Sequence, residues 1–223
     1  MNNFWKHVRI LALCSIFIGC GSGENSSENE AVTARGEAVD EEHYRQQIEL
    51  GLGRKQAWSV HWSKSGVTLD ASQFELVLTD SIDSMEMPES NPIKEGDPLF
   101  PYQYPHPENN GTIDIYSYKV EAGENLDTPF LNPDSEVVWY RADGMKERLL
   151  FMGPSGMFEE GLWLSPGEFL VLGYFQEEEG YRPMAWVIDL EKHVFSQFRF
   201  GAHSSDYIPD SYLNQKLKSI DLN

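Results

Sequence analysis

Side chains able to move protons are plentiful in this chain, but few sit at spacings that catalysis uses. Adjacent carboxyls occur at Glu159-Glu160 and in the run Glu177-Glu178-Glu179, with Asp206 and Asp210 further on. A glycoside-cleaving pair needs two carboxyls at a set separation, one of them kept protonated by burial. The Glu177–Glu179 run falls in an expected hairpin tip, where all three are solvated, and no spacing here marks an acid–nucleophile pair. The histidines that could act in a folded part are His61, His106, His193 and His203, and none lies in an HExxH, HxH or HxxxH spacing. His203-Ser204-Ser205-Asp206 gathers three triad residue types in sequence, yet a triad is assembled in space. Met85-Glu86-Met87 offers two thioethers, too few for a copper site. Asp127, Asn132 and Asp134 lack the spacing of a calcium loop. Gly51-Leu52-Gly53 lacks the rest of a nucleotide-binding glycine pattern. The residues therefore point to no metal, no cofactor and no nucleotide, and to binding rather than catalysis.

The strongest binding signal is a loop. Six of the twelve prolines fall between Pro88 and Pro107, which forbids a continuous helix or a central strand there. Loops of such length inside a compact domain are uncommon and tend to be functional. Within 84–108 stand Phe100, Tyr102, Tyr104 and His106, aromatic rings beside Pro kinks, suited to a sugar ring or a peptide. The alternative is a packed loop that covers a sheet edge with its aromatics.

The elements around this loop read as mostly β. Tyr44, Ile48 and Leu52 recur every four residues, with acids at Asp40–Glu42 to suit a helix N-terminus and Gly53 to end it. Trp58, Val60 and Trp62 alternate with Ser59 and His61, the pattern of a half-buried strand with His61 on its polar face. Phe74, Leu76 and Leu78 give a second strand, and residues 112–120 a third. Two hairpins follow, the first turning at Asp143-Gly144 and the second through residues 190–193. Between them, residues 169–175 are apolar on both faces and read as a strand covered on each side. Asp210 or Ser211 is placed to cap a last helix carrying Tyr212, Leu213 and Leu217. The expected fold is an antiparallel sandwich or stacked-sheet domain with short N- and C-terminal helices. The stretch 162–200 is also similar to a β-propeller blade, so a partial or atypical propeller is the alternative.

Charge narrows the partners. The 223 residues carry 36 acids against 17 Lys and Arg, a formal net charge of −19. Nucleic acid is excluded, since its binding relies on neutralising phosphate, and so is electrostatic attraction to anionic lipid. The two cysteines, Cys14 and Cys20, both precede the expected domain, which therefore has no disulfide, thiolate nucleophile or zinc-thiolate site.

The N-terminus carries its own chemistry. Lys6 and Arg9 precede an uncharged run from Ile10 to Ile18, far short of the about 20 apolar residues that span a bilayer. A basic start, a short apolar run and a small residue describe a cleaved secretory signal. Phe17-Ile18-Gly19-Cys20 resembles the lipobox of bacterial lipoproteins. That resemblance implies removal of residues 1–19, diacylglyceride on the Cys20 thiol, and extracytoplasmic anchoring through that lipid. Phe17 departs from the Leu, Val or Ile more usual there. Gly21, rather than Asp, after the cysteine implies the outer membrane. Residues 20–40 are Gly-, Ser- and Glu-rich, the composition of a flexible acidic tether, ahead of a single domain over 41–223. The expectation is a membrane-anchored binding module of the cell envelope, with another envelope protein as partner. A carbohydrate-binding lipoprotein using the loop 84–108, and a hydrolase without a recognisable motif, are the alternatives.

Overall fold

The computed structural model describes residues 41–83, 85–121, 130–218 and 220. The chain divides into two units, Met1–Ala38 and Val39–Asn223, and the described residues belong to the second. The expected signal, Cys20, the tether and Asp127 lie outside the described residues.

The domain is mostly β, built from two five-stranded antiparallel sheets with short helices. The first sheet has the order β1-β12-β11-β10-β9, formed by Phe74–Ser81, Val194–Phe200, Gly180–Asp189, Glu168–Glu177 and Gly156–Ser165. The last four of these, β9 to β12, are a hairpin-connected meander, the stretch whose alternation resembles a blade. The second sheet has the order β2-β8-β7-β4-β3, formed by Glu86–Pro88, Met145–Met152, Ser135–Tyr140, Thr112–Asp114 and Tyr104–Pro105. β5 (Val120–Glu121) and β6 (Phe130–Leu131) pair separately.

Side-chain alternation on β10 explains the layering. Leu170, Leu172 and Tyr174 point to one face and Phe169 and Val171 to the other, and all are buried. The first face is covered by α1 (residues 41–54) and α2 (Gln56–Lys64). Tyr44 of α1 packs on Phe198 with ring centroids 5.2 Å apart, and His43 reaches Glu168 at 2.8 Å. The second sheet covers the opposite face: Tyr104 packs edge-on against Phe169 at 5.4 Å. The buried side chains of these layers form one hydrophobic cluster, a stack of helices and two sheets rather than radial blades.

Three local expectations need correction. Trp58 and Trp62 lie on α2, not on a strand. Four residues apart, they share one helix face and are fully buried, while Val60 between them is 53% exposed. Residues 112–120 are not one strand, because the Asp114 carboxylate accepts from the Ser117 hydroxyl and from the Tyr116 and Ser117 amides. That local turn takes the backbone out of the ladder. α3 (Ser211–Lys216) forms, but Asp210 has φ +62° and makes no side-chain cap. The helix is held by burial of Tyr212, Leu213 and Leu217.

Candidate functional site

Two features of the domain come from one irregularity in β9. The β9–β10 ladder pairs Glu160 with Leu172 and then Phe158 with Gly173, leaving Glu159 as an extra residue. A bulge of this kind turns two successive side chains to one side. Glu159 and Glu160 therefore both enter the helical layer, while Phe158 faces the second sheet. Gly173 opposite the bulge is obligatory, since a Cβ there would overlap the Met157 carbonyl oxygen.

On the helical side the two carboxyls have opposite electrostatics. Glu159 is wholly buried and accepts from Trp58 Nε1 at 2.8 Å and from the Tyr207 hydroxyl. Burial raises its pKa to about 8, against the lowering effect of those two donors. For Glu160 burial also pushes upward, but Lys55 and Lys216 more than offset it and its pKa falls below the usual carboxylate range. Lys55, the one residue between α1 and α2, lies 2.8 Å from Glu160, and Lys216 of α3 pairs with its other oxygen. Tyr212 donates to Glu160 at 2.9 Å and Tyr104 at 3.3 Å. Each carboxylate oxygen is thus occupied by a donor from the fold. The pair joins α2, α3 and β9.

The proline-rich loop 84–108 is divided between edge strands and a seal. β2 and β3 are short pieces of it, paired with β8 and β4 at the two edges of the second sheet. Of the four aromatic positions, Phe100 is exposed, Tyr102 and Tyr104 are half-buried and His106 is buried. Tyr102 packs edge-on against Tyr116. The Tyr104 hydroxyl accepts from the Gly161 amide at 3.1 Å, and the Tyr116 hydroxyl donates to the Glu159 carbonyl at 3.0 Å. These two tyrosines occupy the Glu159 carbonyl and the Gly161 amide on the outer edge of β9. His106 Nε2 lies 2.9 Å from the Pro166 carbonyl and its Nδ1 accepts the Glu108 amide. Among the remaining histidines, His61 packs edge-on between Tyr207 and Tyr212, His193 pairs with buried Glu147 across the two sheets, and His203 is exposed.

On the other face of the first sheet, a cleft of about 310 Å³ opens between the sheets. Its floor is aromatic: Phe158, Phe175, Trp186 and Phe195, one from each of β9 to β12. Phe158 meets Trp186 edge-on at 5.0 Å, and Phe175 does so at 6.0 Å. β8 forms the opposing wall through residues 148–152, with Phe151 half-exposed. Asp80, Asp83, Arg148 and Gln197 are its polar members. The Arg148 guanidinium contacts the Met85 thioether and the Phe151 ring, and it also acts electrostatically on Glu136. An aromatic floor on rigid strands with a few polar groups at the rim is the usual composition of a binding site. Sequence reasoning missed it because its residues are spread over six strands and meet only in the folded domain. A second, more polar depression of about 410 Å³ lies beside His106, lined by Asn91, Lys94, Asn109 and Arg141 among others. No group of His, Cys, Asp and Glu among the described residues is arranged to hold a metal. No described helix is long and apolar enough to cross a membrane. Compared with protein-family models, with curated proteins and with solved structures, the chain matches none.

Proposed function

We propose that this chain is an envelope lipoprotein, anchored in the outer membrane through lipid on Cys20, whose β domain binds a partner protein rather than transforming a substrate. The observation that carries the binding reading is the aromatic cleft between the sheets, formed by Phe158, Phe175, Trp186 and Phe195. The full use of both oxygens of Glu159 and Glu160 within the fold supports a non-catalytic role for the most carboxylate-rich spot in the core. Anchoring is supported by the lipobox-like Phe17-Ile18-Gly19-Cys20 and the acidic tether after it.

The test uses the native, lipidated protein. Fatty-acid labelling and membrane retention should both be lost in Cys20→Ser. Cross-linking followed by affinity recovery should yield a stoichiometric envelope protein that disappears in Phe151→Glu, a change at an exposed cleft position. Persistent labelling would overturn the anchor, and a partner indifferent to Phe151→Glu would overturn the cleft.

A carbohydrate ligand is the second reading, favoured by the polar depression beside His106. Glycan-array binding that is lost in Lys94→Ala would support it, and an array without signal would remove it.

A further inference from the structure

Among the described residues the two five-stranded sheets have four edges, and three of them are blunted. β2 ends the second sheet with three residues closing on Pro88, and β3 ends it on the other side with Tyr104-Pro105. The β9 edge is blocked at its middle, where the hydroxyls of Tyr104 and Tyr116 occupy the Gly161 amide and the Glu159 carbonyl. Short strands, prolines and covered edges are the devices by which proteins avoid unwanted strand pairing. β1 is neither short, proline-bearing nor covered; its protection is a bulge between Leu76 and Leu78 and the Asp80 carboxylate, which takes the Ser81 amide at 2.8 Å. It is eight residues long, pairs among the described residues only with β12, and contains no proline, lysine or arginine. Leu76, Val77 and Leu78 are 45%, 46% and 41% exposed on it.

We propose that the free edge of β1 takes up a strand from a partner protein, an extended segment with alternating apolar residues and basic ends. This inference rests on the reading of the domain as a binding module, and it names how the partner is held. The ladder shifts register between Leu76 and Leu78, so the straight part of the edge is Leu78–Ser81. Asp80 and Ser81 also line the cleft. Asp80 pairs with Phe195 and Leu78 with Gln197, so both point to the cleft face of the sheet. A strand added there places alternate side chains beside the aromatic floor, while its main chain bonds to β1.

Charge selects the occupant. Glu75 is taken up by Arg199 of β12 at 3.2 Å, but Asp80 on the edge and Asp83 at the cleft remain, and the whole chain carries a formal charge of −19. A basic segment complements this edge. A second copy, carrying the same formal charge of −19, does not.

The test uses a fluorescent peptide of about ten residues, alternating valine and threonine between lysine pairs, followed by anisotropy with the full chain. Binding is expected, weakened at least about tenfold by N-methylation of alternate backbone amides, which removes main-chain bonding. A glutamate-flanked peptide should bind weakly, and the Leu76→Lys/Leu78→Lys variant should lose the lysine-flanked peptide. Equal binding of the N-methylated peptide, or no binding of the parent, overturns the inference; the peptide arms do not depend on the variant folding. A concentration-dependent dimer in sedimentation that disappears in Leu76→Lys/Leu78→Lys would also overturn it, placing a second copy on the edge. A native partner lost in Phe151→Glu but retained in Leu76→Lys/Leu78→Lys would keep the binding module and overturn strand addition alone.

Discussion

The Tyr104 hydroxyl accepts the Gly161 amide at 3.1 Å, so a side chain from the second sheet stands where another strand would dock on β9. The same hydroxyl lies 3.0 Å from that of Tyr116 and 3.3 Å from Glu160. Tyr104→Phe keeps the ring against Phe169 but leaves the Gly161 amide unpaired. An unsatisfied amide of this kind costs about 1–3 kcal/mol, and a lower urea midpoint at unchanged slope would register it. An unchanged midpoint would mean that water replaces the hydroxyl.

Glu159→Gln should change how stability depends on pH. The folded pKa of Glu159 is raised to about 8 from an ordinary value of 4.5, so the folded state binds the proton more tightly than the unfolded chain. Its contribution is fully present below about 4.5 and is lost as pH rises through about 8. Removing the titrating group should flatten the stability profile between these values. Chemical denaturation at several pH values checks this, and an unaltered slope would contradict the assignment.

Glu160 has the opposite sign. Its folded pKa is lowered from 4.5, so its contribution is present above that value and fades as pH falls through the folded one. Glu160→Gln leaves Lys55 and Lys216 without their carboxylate and should cost about 3 kcal/mol near neutral pH, as when one partner of a buried pair is removed. The loss should shrink in acid, where wild-type Glu160 is itself protonated.

Gly173→Ala tests the bulge. The new methyl group would collide with the Met157 carbonyl oxygen, forcing β9 and β10 apart. Overpacking of this kind costs about 1–3 kcal/mol, and near-ultraviolet dichroism should report the accompanying shift of Phe158 against Trp186.

Much of the fold is legible in the sequence, because β12 alternates with a period of two while β10 and β11 run apolar on both faces, as strands covered on each side do. Trp58 and Trp62 misled because positions four apart satisfy both the strand and the helix period. Exposed Val60 separates the two, and exposure is a tertiary fact. The Glu159-Glu160 pair is visible as two adjacent acids, but an unbroken strand would send them to opposite faces. Only the bulge turns both inward, and it is set by the ladder with β10 and by Gly173. The loop around Tyr104 is conspicuous for its prolines and rings. Whether its hydroxyls look outward or seal an edge depends on Gly161, 57 residues away.

The binding module is tested most directly by site-specific photo-cross-linking in the native envelope. A photoreactive side chain at Phe151 in the cleft should capture a defined partner protein, and the same group at exposed Val60 on α2 should not. Capture from both positions alike, or from neither, would contradict the cleft as the site of binding.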